Sequence, residues 1–89
     1  MNKELMSQAR EALIREFGEL RGSRVASVAL PNIIADFYKM TLRVQPGTVV
    51  SEEYRIENSH LEFFVEGHSD ARDGKRELVL TALDLRSVR

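Results

Sequence analysis

The chain contains no cysteine, so it has no disulfide framework, no thiolate metal site and no thiol nucleophile. Small secreted scaffolds depend on such bridges, and their lack makes a reducing cytoplasm the expected location. Long apolar runs are missing as well. Nothing approaches the roughly 18 residues needed to cross a bilayer, and no signal-type apolar core follows the opening Met1-Asn2-Lys3-Glu4, so neither a leader nor a span is expected. Charge of one sign is also wanting: thirteen basic and fourteen acidic residues, interspersed, leave a net charge of −1. That balance has no electrostatic footprint for nucleic acid, and the arginines Arg10, Arg15, Arg21 and Arg24 are interleaved with Glu11, Glu16 and Glu19.

Catalytic and metal motifs are absent in the same way. There is no Gly-x-Ser-x-Gly, no Ser-x-x-Lys and no glycine-rich phosphate loop. His60 and His68 are the only histidines, and neither has a second ligand at metal spacing. Asp70 and Asp73 miss the alternating ligand pattern of a calcium loop, and Arg72 between them repels a cation. No metal and no cofactor are expected. With 89 residues and no repeat, linker or low-complexity run, the chain is expected to form one domain, residues 1–89.

What is present is periodicity. From residue 2 or 3 to about 21, Leu5, Met6, Ala9, Ala12, Leu13, Phe17 and Leu20 recur three and four apart, the spacing of one buried helix face. Gly22 follows as a C-terminal stop. Residues 24–30, rich in valine, read as a first edge strand closed by Pro31-Asn32. The stretch 37–66 then organises the rest. Tyr38, Met40, Leu42 and Val44 alternate with polar residues, Gln45-Pro46-Gly47-Thr48 has turn chemistry, and a strand follows from about 49 to 57.

Face-matching gives the register. Val44 with Val50, Leu42 with Glu52, Met40 with Tyr54 and Tyr38 with Ile56 keep the first hairpin's apolar sets together. A two-residue Asn58-Ser59 loop pairs Ile56 with Leu61, Tyr54 with Phe63, Glu52 with Val65 and Arg55 with Glu62, and it sets His60 across from Glu57. Residues 67–75 read as a polar loop before a last strand at about 76–85, and the residues beyond it, 86–89, are expected to fray. The predicted fold is α+β: one N-terminal helix on one face of a four- to five-stranded antiparallel meander. This order of elements is similar to that of cystatin-like folds, although the 45–47 turn lacks the Gln-x-Val-x-Gly pattern of the cystatin inhibitors.

Two sets of residues stand out as sites. If Leu78, Leu80 and Ala82 continue the inner face, Val79 and Leu83 point outward beside Phe64, with Phe37 and Val49 nearby. That leaves an exposed apolar sheet face. It points to a non-enzymatic interaction module, an adaptor, inhibitor or subunit, that meets a protein partner or a second copy of itself through Phe64, Val79, Leu83 and Phe37. The alternative is a small-ligand or proton-transfer site between helix and sheet. Glu16 falls at about 160° on the helical wheel, between Ala12 and Leu20, and the register turns Glu52 inward. Two facing carboxylates would form an acid/base pair, with Tyr38 or Tyr54 as hydrogen-bond donor.

Overall fold

Asn2 opens the first helix by accepting hydrogen bonds on its side-chain oxygen from the backbone N–H groups of Glu4 and Leu5, at 3.0 and 3.2 Å. The structure, a computed structural model, describes residues 2–56 and 58–88. Helix α1, Lys3–Phe17, buries Ala9 and Leu13 and is stopped by Gly18, whose φ of 87° lies in the left-handed region. The stop therefore comes four residues before Gly22, and Leu20, expected on the buried face, is 67% exposed.

Helix α2, Glu19–Thr41, begins at once and absorbs everything that reads as the first two strands. The expected strand at 24–30, the Pro31-Asn32 stop and the alternating 38–44 segment all lie within it or in the turn that ends it. The physical reason is a stripe that the valines hide. Gly22, Ala26, Leu30, Ile33, Phe37 and Thr41 are buried at spacings of four, four, three, four and four, and that is one face of a helix. Pro31 sits on the exposed side, where its missing N–H and ring crowd the preceding turn without ending the helix. Gly22 is a contact residue rather than a terminator. A Cβ there would stand 2.5 Å from the Ile14 Cα and 2.7 Å from the Leu13 carbonyl oxygen, so only hydrogen lets α2 fold back against α1.

The Gln45-Pro46-Gly47-Thr48 turn forms as its chemistry dictates, with Thr48 N–H donating to the Gln45 carbonyl at 3.1 Å and Gly47 at φ 85°. It carries the chain from a helix, not from a strand, into β1, Val50–Arg55. Strands β2, Leu61–Arg72, and β3, Lys75–Ser87, complete a three-stranded antiparallel sheet in the order β1-β2-β3. The fold is thus α+β with two helices and three strands, and the expected fourth and fifth strands are helix. The β1–β2 register is the one read from the sequence: Tyr54 opposes Phe63, Glu52 opposes Val65 and Arg55 opposes Glu62. At the hairpin tip the Ser59 hydroxyl donates to the Ile56 carbonyl and accepts from Leu61 N–H. The expected His60–Glu57 pair lies outside the described residues.

Residues 67–72 are strand, not loop: Gly67 and Ser69 are buried on the inner face, and at Gly67 a Cβ would run into the Val79 carbonyl of β3. The reversal is confined to Asp73-Gly74, both at positive φ, a tight hairpin turn. β3 also runs past the expected end, and Val88 N–H still donates to the His60 carbonyl. One core joins Ala9 and Leu13 of α1, the α2 stripe, Ile56, Phe63 and Val65, and Leu80 and Leu83 of β3. Both helices lie on the same face of the sheet.

Candidate functional site

A bulge in β3 decides which apolar side chains remain outside. Glu66 opposes Ala82 whereas Gly67 opposes Leu80, so Thr81 is an extra residue and the faces switch there. Leu78 and Leu80 point inward before it, and Leu83 and Leu85 point inward after it. Leu83, expected outside, is therefore 3% exposed in the core, and Phe37, on α2, is fully buried. Neither belongs to an exposed face. Phe64 and Val79 do lie on the outer face, each half-buried. The Arg86 guanidinium covers the Phe64 ring at 4.2 Å from its centroid. Val79 opposes His68, four positions along β2 from Phe64. The two are thus roughly 14 Å apart by strand rise. Polar residues fill the space around them, and Glu53, Glu62, Glu66 and Asp84 make this face a solvated one. There the Glu62 carboxyl is pushed above the ordinary glutamate range by its hydrogen bond to Glu53, with Arg55 and Arg86 opposing the shift. His68 meets Asp70 at 3.2 Å on the same side.

The acid/base pair is not assembled. Glu16 is exposed on α1, which packs on α2 and β3, while Glu52 is half-buried on β1 at the opposite edge of the sheet. Both tyrosine donors are already engaged. Tyr54 donates to the Asp36 carboxylate at 2.7 Å, tying β1 to α2, and burial followed by that bond holds its phenol protonated above the usual range. Tyr38 donates to the Arg76 carbonyl at 2.8 Å. Among the described residues no three His, Asp or Glu side chains gather as metal ligands.

Arg76 is the residue that sequence reasoning missed. Its Nε donates to the Ser69 hydroxyl at 2.9 Å, and one terminal nitrogen donates to the Thr41 and Val44 carbonyls at 2.9 and 2.7 Å. A guanidinium thus closes the C-terminus of α2, where unpaired carbonyls and the helix dipole favour a cation. No local signal marks this role, because Arg76 reaches across 35 residues to Thr41.

Beside that clamp lies an apolar groove of about 850 Å³. Met6 of α1, Pro31, Ile34 and Ala35 of α2, and Leu78 and Leu80 of β3 form its walls, and Asn2 and Glu77 stand at its rim. It runs along the outer edge of β3, which has no neighbouring strand among the described residues. The two sheet edges differ. β1 has six residues and carries Glu52, Glu53 and Arg55, the charges that usually guard an edge. β3 has thirteen residues and no charge at all from 78 to 83. The length and chemistry of β3 suit the addition of a strand, and the groove beside it has room for that strand's side chains.

No helix among the described residues is long and apolar enough to cross a membrane. Comparison with family models, curated proteins and solved structures found no match to this chain.

Proposed function

We propose that this chain is a small non-enzymatic interaction module that takes up an extended protein segment along the open edge of β3. The observation that carries the reading is the coincidence of an uncharged stretch, residues 78–83, on the unpaired edge of β3 with the apolar groove beside it. Backbone hydrogen bonds to β3 would supply affinity, and alternate side chains entering between Met6, Ile34 and Leu80 would supply selectivity. The interaction surface is thereby moved from the outer sheet face to its edge, and of the four residues expected there only Val79 is retained. The lack of cysteine favours a cytoplasmic setting for it.

Selection of extended peptides from a displayed random library, followed by amide chemical-shift mapping, tests the reading. Selected peptides are expected to shift residues 78–80 and Ile34, and Ile34→Glu should abolish their binding. An absence of binders, or binders that map to the Phe64 face, would refute it.

A further inference from the structure

We infer that the strand accepted by β3 is the β3 of a second copy, giving a continuous six-stranded sheet with Val79 on the two-fold axis. The inference rests on the interaction reading above and adds a partner and a register to it. The sequence of β3 is self-complementary about that axis. With Val79 opposite its counterpart, Leu78 opposes the second copy's Leu80, and the two grooves meet across the axis. The bulge at Thr81 then advances each strand by one residue. Beyond it, Glu77 opposes the second copy's Ala82, Arg76 opposes Leu83, and Lys75 opposes Asp84. Inner-face residues meet inner-face residues throughout, as a shared sheet requires.

Charge selects this register over its neighbours. Sliding by two residues in one direction sets Glu77 against the second copy's Asp84 and Lys75 against Arg86. Sliding the other way sets Lys75 against Ala82 and loses its acidic partner. The first alternative places like charges opposite one another, which is destabilising, and the second forfeits the ion pair, whereas the proposed register has two opposite-charge pairs by symmetry. Lys75 makes no ion pair among the described residues, and Asp84 has only a 3.8 Å contact with Arg86. Nine paired residues span roughly 30 Å, and with a sheet and helix layer about 20 Å deep they bury on the order of 1,200 Å² in total. That is the lower end of specific interfaces, so the dimer should dissociate in the micromolar range.

Sedimentation velocity on the full chain over a micromolar concentration series, with circular dichroism as a check on folding, decides the matter. The wild type is expected to move from 10.2 kDa towards twice that mass. Lys75→Asp and Asp84→Lys, both at exposed positions, should each weaken self-association at least tenfold. An equimolar mixture of the two variants should recover it, because every cross-axis pair is then of opposite sign. A wild type that stays monomeric, single variants that associate as tightly as the wild type, or a mixture that does not recover would each overturn the proposal. If the monomeric wild type still selects edge-binding peptides, only self-pairing fails. If it selects none, the parent reading fails with it.

Discussion

Gly22→Ala is the sharpest test of how the two helices meet. Alanine is a better helix former than glycine by about 1 kcal/mol, so at an ordinary position inside a long helix the change should stabilise. Here the new Cβ would lie 2.5 Å from the Ile14 Cα, 2.7 Å from the Leu13 oxygen and 2.8 Å from the Ile14 nitrogen, all of them backbone atoms. Side-chain rotation cannot relieve such contacts. Restoring an ordinary 3.4 Å separation requires α1 to move off α2 by about 1 Å. Ala9 and Leu13, both buried in the same interface, would move with it. Overpacking of this kind costs about 1–3 kcal/mol, and subtracting the propensity gain leaves a net loss of up to about 2 kcal/mol. For a domain of this size that lowers Tm by several degrees, on the order of 4–8 °C per kcal/mol. Thermal and urea unfolding by circular dichroism, at one fixed protein concentration, measure it. Gly18→Ala is the control: nothing lies within 4 Å of its Cβ, so only the positive φ is penalised. A Gly22→Ala protein more stable than the parent by the full helix-propensity gain of about 1 kcal/mol would refute the close crossing.

Arg76→Ala should cost about 2–4 kcal/mol in urea denaturation, because the Thr41 and Val44 carbonyls lose a charged donor. Arg76→Lys should recover less than half of that, since one ammonium cannot reproduce the planar fork, and full recovery would sink the clamp. The two neighbouring phenylalanines of β2 should behave oppositely: Phe63→Ala, fully buried, is expected to cost about 3–5 kcal/mol, whereas Phe64→Ala, under Arg86 on the wet face, should cost about 1 kcal/mol or less. Equal losses would mean that the faces are assigned wrongly. Tyr54 has a higher pKa in the folded chain than its unfolded value of 10.0, so the folded state holds the phenol proton more tightly. Its contribution to stability should be complete below pH 10.0 and fade as the pH rises above that value. Ultraviolet difference titration should show its ionisation displaced upward in the wild type and brought down by Asp36→Asn, and ordinary titration in the wild type would contradict the bond to Asp36.

The β1–β2 hairpin was legible in the sequence residue by residue. Its register depends only on local facts: Asn58-Ser59 supplies the turn, and Tyr54, Phe63 and Val65 must share a face. The Pro46-Gly47 turn was legible for the same reason. The α2 helix was not, because Val25, Val28, Ile33 and Ile34 favour strands locally, Pro31 argues against a helix, and 38–44 alternates. Only packing on α1 and on the sheet rewards the four-residue stripe from Gly22 to Thr41 over those preferences. With α2 a helix, Phe37 enters the core and two expected strands vanish.

The sequence by itself therefore determined what short-range chemistry can determine: the α+β class, the amphipathic opening helix, the central hairpin and the turns at 45–48 and 58–59. The tertiary structure alone decided where the chain reverses between α1 and α2, which side of β3 Leu83 occupies, and what closes the end of α2. Those outcomes turn on a Cβ with no room at Gly22, one extra residue at Thr81 and an arginine reaching from β3 to the end of α2. Each is a relation between separate helices or strands, and such relations leave no periodic trace in the sequence.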